Sequence, residues 1–125
     1  MAQKFKKVAF TCYPVKDMAR SRAFYEGILG LKPGDDFQGT WQEYDFGGTT
    51  FAISSMVGEF VPPGSQGSVA FEVDDIRALV AELQAKKVQF STEVSSEIVM
   101  ESPVCWMAFM KDPDGNTISL HQSKD

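Results

Sequence analysis

The sequence predicts an α+β fold: two tandem βαβββ modules forming a curved mixed sheet around a central cleft. Three observations predict it. Val8-Ala9-Phe10 recurs as Val69-Ala70-Phe71. Each copy leads into an aspartate suited to cap a helix, Asp17 after Val15-Lys16 and Asp75 after Val73-Asp74. Between the copies lies a stretch with Pro62-Pro63, Gly64 and Gly67, and proline cannot donate to a ladder. Two copies are too few for a solenoid, so they suit one pseudo-twofold domain. The domain is 1–125, with modules 4–55 and 68–123 joined by a connector, 56–67.

Taken in order, residues 7–15 are rich in β-formers and read as a strand. Phe24, Tyr25, Ile28 and Leu29 then recur at helical spacing behind Asp17, and Gly30 supplies the stop. A short strand is expected near 32–37. Residues 41–46 and 49–54 read as a hairpin around Gly47-Gly48, a dipeptide that tolerates positive φ. In the second module 68–73 is a strand, and Ile76, Leu79, Val80 and Leu83 form a helical stripe. Lys86 and Lys87 close that helix, where cations are favoured. Strands are expected near 97–102, 104–111 and 116–122, with Asp112 to Asn116 turning between the last two.

Composition limits the function. The chain has 125 residues, a net charge of −5 and a pI near 4.8. Neutralising phosphates needs a Lys/Arg surplus, so no nucleic-acid partner is expected. No apolar run reaches the ~20 residues that span a bilayer, and no apolar segment follows the basic start. A cytoplasmic protein without a membrane partner is expected. Cys12 and Cys105 lie far apart in apolar runs and read as reduced, buried thiols.

Val15 to Met18, Ser21 to Tyr25, Leu29 to Leu31, Val69 to Ile76 and Asp112 to Asn116, in this order, resemble the vicinal oxygen chelate superfamily. That group includes glyoxalase I, extradiol dioxygenases, fosfomycin-resistance proteins and bleomycin-resistance proteins. The resemblance covers essentially the whole chain. It implies a cup between modules, a homodimer and, in many members, a divalent metal held by His or Gln from each first strand and Glu from each last one. The matching places here are Phe10, Ala52, Ser68 and Ser119, with Lys7 an alternative in the first strand if the alignment carries a gap. Two hydrocarbons and two neutral hydroxyls are poor transition-metal ligands, so no metal and no cofactor are expected.

Alternation places Val69, Phe71, Ile118 and Leu120 against the helices. It turns Phe10, Ser68, Glu72, Ser119 and His121 into one shared cavity. Trp41 and Trp106 either stack on a planar ligand or fill core. His121, the only histidine, either sits at a frayed end or takes part in binding or proton transfer. The candidate ligand-binding set is therefore Phe10, Trp41, Ser68, Glu72, Trp106, Ser119 and His121. The expected function is metal-independent binding of a small molecule, of the glyoxalase/bleomycin-resistance type. The alternative is a glyoxalase-like lyase or isomerase, metal-dependent or using His121 and Glu72 as acid and base. Whether any reaction is catalysed stays open at this point.

Overall fold

A computed structural model describes residues 4, 8–57 and 66–125, and its order of elements repeats once. In the first module β1 (Thr11–Pro14) leads to α1 (Met18–Arg22), which runs on as a π-helical segment (Ala23–Ile28). Then come β2 (Asp36–Phe37), β3 (Trp41–Asp45) and β4 (Thr50–Ser54). The second module has β5 (Ser68–Glu72), α2 (Ile76–Ala85), β6 (Met100–Glu101), β7 (Cys105–Lys111) and β8 (Thr117–Ser123). The two sheets have the orders β1-β4-β3-β2 and β5-β8-β7-β6. In each, the first strand pairs parallel with the last, and the helix makes the crossover that parallel pairing needs.

Local chemistry fixes these elements where the sequence expects them. Asp17 accepts from the Arg20 amide and Asp75 from the Ala78 amide, so both aspartates cap. Gly30 takes φ 77° at the end of the first helix. Gly47 and Gly48, at φ 70° and 108°, turn the β3–β4 hairpin. On α2, Ile76, Val80 and Leu83 are buried.

Three strands are shorter than expected, each for a visible reason. β1 pairs only where β4 faces it, from Thr11↔Phe51 to Pro14↔Ser54; residues 8–10 carry no ladder, and 5–7 lie outside the described residues, as do 58–65 of the connector. Near β2 the Gly34 amide donates to the Glu43 carbonyl while the Glu43 amide donates to the Asp35 carbonyl. Two residues thus oppose one, as in a bulge, and regular pairing begins only at Asp36. β6 is confined to Met100–Glu101 because Phe90 bridges Met110 and the Ser91 amide donates to the Phe109 carbonyl, taking that edge of β7.

One core joins the modules. Tyr13, Val15, Phe24, Tyr25, Tyr44, Phe51 and Ile53 from the first pack with Ile76, Val80, Leu83, Met110, Ile118 and Leu120 from the second. Phe51 meets Phe71 edge to face at 5.5 Å. The polar join is the Asp112–Asn116 turn. The buried Asp112 carboxylate accepts the amides of Asp114 and Asn116 on Oδ1, and the Tyr25 hydroxyl and Asn116 Nδ2 on Oδ2. Asn116 Nδ2 also donates to the Pro14 carbonyl, and the Tyr13 hydroxyl donates to the Thr117 carbonyl. Asp114 accepts from Arg20, Ser21 and the Lys16 amide. What the sequence marks as a turn is a clasp across the modules.

Tyr25→Phe removes one of four donors from a buried carboxylate and is expected to cost about 1.5–3 kcal/mol. Urea unfolding would show this as a lower midpoint with an unchanged slope. Arg20→Ala, which breaks an ion pair whose arginine is half exposed, is expected to cost less than ~1 kcal/mol. Equal losses in the two variants would contradict the clasp.

Candidate functional site

Residues directly opposite in a ladder share a face. In the first sheet Thr11, Phe51 and Tyr44 form one row toward the core, and Tyr13, Ile53 and Gln42 another. The opposite face carries the rows Cys12–Ala52–Glu43 and Pro14–Ser54–Trp41–Phe37. On this face lies a cavity of about 510 Å³ lined by Phe10, Asp35, Asp36, Phe37, Trp41 and Glu43. Phe10 and Trp41 meet at 5.3 Å with their rings at 84°, forming a corner. Trp41 Nε1 donates to Glu43 Oε2 at 3.0 Å, which fixes the indole against the carboxylate. Phe10 and Phe37 are each about half exposed. Burial pushes the Cys12 thiol up to about 11, so at neutral pH it is a protonated, weakly nucleophilic group.

The second sheet repeats the arrangement with polar side chains. Val69, Ile118 and Met110 form a row toward the core, as do Phe71, Leu120 and Ala108. The other face carries the rows Ser68–Thr117–Lys111, Ala70–Ser119–Phe109 and Glu72–His121–Met107–Met100. His121 Nδ1 lies 2.6 Å from Glu72 Oε1, and Glu72 Oε2 accepts the Ser123 amide. Those two hydrogen bonds, the backbone one first, hold the Glu72 carboxyl below its ordinary range. An ionised Glu72 takes the proton-bearing Nδ1 of His121, which leaves Nε2 of the neutral ring as an acceptor or base.

Phe10 and Trp41 thus share a cavity, but that cavity takes no lining from Ser68, Glu72, Ser119 or His121. These four stand on the equivalent face of the other sheet, so the single shared cavity expected from alternation is not formed within one chain among the described residues. Ser68 is exposed, whereas Ser119 is only 3% exposed. Trp106 is in register with Gln122 and Glu101 on the helix-facing side. It packs against the core, with Lys124 Nζ 4.9 Å from its ring centre, and stands apart from the other candidates. Sequence reasoning missed Asp35, Asp36, Phe37 and Glu43. Alternation from Trp41 was enough to find Glu43, and the cross-strand partner of Trp41 is Phe37.

Phe10 directly precedes β1 and Ala52 lies in β4, while Ser68 and Ser119 lie in β5 and β8 of the second sheet. A hydrocarbon ring, a methyl group and two hydroxyls do not form a donor set for a divalent transition metal. Among the described residues no three His, Cys, Asp or Glu side chains come together as metal ligands. Among them, too, no helix is long and apolar enough to cross a membrane.

The fold is similar to that of TnmS3, an antibiotic binding protein from Streptomyces sp. CB03234, with a TM-score of 0.79 and 25% identity over 98% of this chain and all of that one. A glyoxalase/bleomycin resistance protein from the same Streptomyces gives a TM-score of 0.74 and 26% identity over 93% of this chain and all of that one. Lactoylglutathione lyase from Agrobacterium tumefaciens, at 16% identity, TM-score 0.73 and 96% coverage of both chains, shares the fold. No curated relative matches. The family model of the Glyoxalase/Bleomycin resistance protein/Dioxygenase superfamily matches residues 7–120, and the chain belongs to that superfamily.

Proposed function

We propose that this chain is a metal-independent small-molecule-binding protein of the cytoplasm, acting as a twofold homodimer. The observation that carries the reading is the apolar corner of Phe10 and Trp41 on the face where chelating members of the superfamily hold a metal. Concave, aromatic-lined cavities with a few fixed polar groups are the usual form of a small-molecule site. Similarity to a protein described as antibiotic binding supports the same class.

What each chain leaves uncovered supports the homodimer. β1 and β5 are edge strands of their sheets, and Val8, Phe10 and Phe37 are all more than half exposed. A twofold partner would cover such a face and set the polar sheet of one chain over the aromatic sheet of the other. A second reading, a metal-free enzyme using His121 as base, is favoured by the short contact between His121 and Glu72. Turnover lost in His121→Gln with binding intact would decide for it.

Light scattering and elemental analysis on one chromatographic peak are expected to give a dimer with no stoichiometric zinc, nickel, manganese or iron. A chelator is expected to leave the thermal midpoint unchanged, because removing a native-state ligand lowers stability by mass action. About one metal per chain, or a monomer, would contradict the proposal.

The serines separate open from closed surface. Ser68→Leu places its side chain at an exposed position and is expected to change stability by less than ~0.5 kcal/mol. Ser119→Leu enlarges a buried side chain and is expected to cost about 1–3 kcal/mol. Thermal or urea unfolding of both variants checks this, and a severe loss at Ser68 would show that its face is closed.

A further inference from the structure

The cavity on the first sheet has a composition that narrows its ligand. Three of its lining residues are aromatic and three are acidic, and among the described residues no basic one lines it. The aromatics form a box with two fixed walls, Phe10 and Trp41 standing nearly perpendicular. Phe37, directly across the ladder from Trp41, rises from the same face. The carboxylates differ in role. Asp36 Oδ1 accepts the Gly39 amide and serves the turn. Glu43 accepts the Trp41 indole N–H, so its charge is held at the edge of the ring. Asp35 lines the cavity, and its carbonyl accepts the Glu43 amide.

A neutral apolar ligand would gain the ring contacts here but would offer nothing to the Glu43 carboxylate beside Trp41. An anion would meet like charge. A cation is attracted by the faces of the rings and by the carboxylates together, and aromatic boxes with nearby acids are how proteins hold quaternary ammonium groups. A planar aromatic cation adds stacking on the indole. At about 510 Å³ the cavity lies within the usual range for small-molecule sites, roughly 300–1,000 Å³.

We infer that the Phe10–Phe37–Trp41 corner, with Glu43 and Asp35 beside it, selects organic cations with a flat or compact apolar body. The inference rests on the small-molecule-binding reading above and specifies its ligand class. The cation stacks on or against Trp41, and Glu43 supplies a counter-charge that does not move on binding.

The test compares two probes of the same ring size, N-methylquinolinium, a permanent cation, and lepidine, uncharged at mildly alkaline pH. Binding is followed by calorimetry and by the shift of the Trp41 indole N–H signal, assigned with Trp41→Phe. N-methylquinolinium is expected to bind at least about tenfold more tightly than lepidine and to lose affinity as salt is raised, because exposed charges are screened. Glu43→Gln keeps an acceptor for the indole, so it should reduce cation affinity severalfold and leave lepidine unchanged. Trp41→Ala should abolish both. Equal affinity for the two probes, tighter lepidine binding, or a Glu43→Gln variant that keeps the full preference would overturn the inference. So would failure of both probes to bind. None of these outcomes concerns metal content or oligomeric state, by which the broader reading stands or falls.

Discussion

A buried carboxylate with four hydrogen-bond donors and no cation among them organises this molecule. Asp112 gathers two amides of its own turn, an asparagine amide and the hydroxyl of Tyr25 from the other module. A carboxylate out of water is costly unless its lone pairs are met, and here all four contacts come from neutral groups, two of them backbone amides of the turn itself. The arrangement has a structural consequence. Tyr25 stands on the helical run that begins at Asp17, so satisfying Asp112 also docks the first helix against the β7–β8 turn. Asn116 then reaches the end of β1 through the Pro14 carbonyl. Burial and the charge of Asp112 push the Tyr25 hydroxyl up, far beyond ordinary pH, so it remains a donor throughout the working range.

With the modules joined on their helix-facing sides, the other face of each sheet is left for function, and the two faces are chemically unlike. The first offers Phe10, Phe37 and Trp41 with Glu43 beside them; the second offers Ser68 and the Glu72–His121 pair, with Ser119 buried on the same side. A superfamily built to chelate would place a ligand on both. With a ring and a methyl at the matching places of the first module and hydroxyls at those of the second, recognition on the function proposed above falls to shape, ring faces and fixed charge.

Much of the fold was legible in the sequence because it depends on local chemistry. Asp17 and Asp75 cap, Gly30 and Gly47-Gly48 turn, and Val69, Phe71, Ile118 and Leu120 face the core as alternation requires. What was not legible depends on contacts distant in sequence. Nothing local says that Phe90 will take the edge of β7 from residues 97–99, or that Tyr25 will find Asp112. The site divides in the same way. Alternation sorted each strand correctly into faces, but it carries no information on how two sheets are set against each other. It therefore merged Phe10 with Ser68, Ser119 and His121 into one cavity, where the chain forms an aromatic cavity on one sheet and a polar face on the other. Trp106 shows the limit for a single residue: read as a stacking platform or as core, it packs on the helix side beneath Lys124.

The central claim is that one organic ligand per chain is held by side chains alone. Native mass spectrometry of chelator-treated protein, titrated with N-methylquinolinium, counts ligand, metal and chains in the same ion. The account predicts a dimer that fills stepwise to one ligand per chain and stops, with no mass left over for a metal. A ligand that attaches only to ions carrying a metal, or adducts that accumulate without saturating, would contradict it.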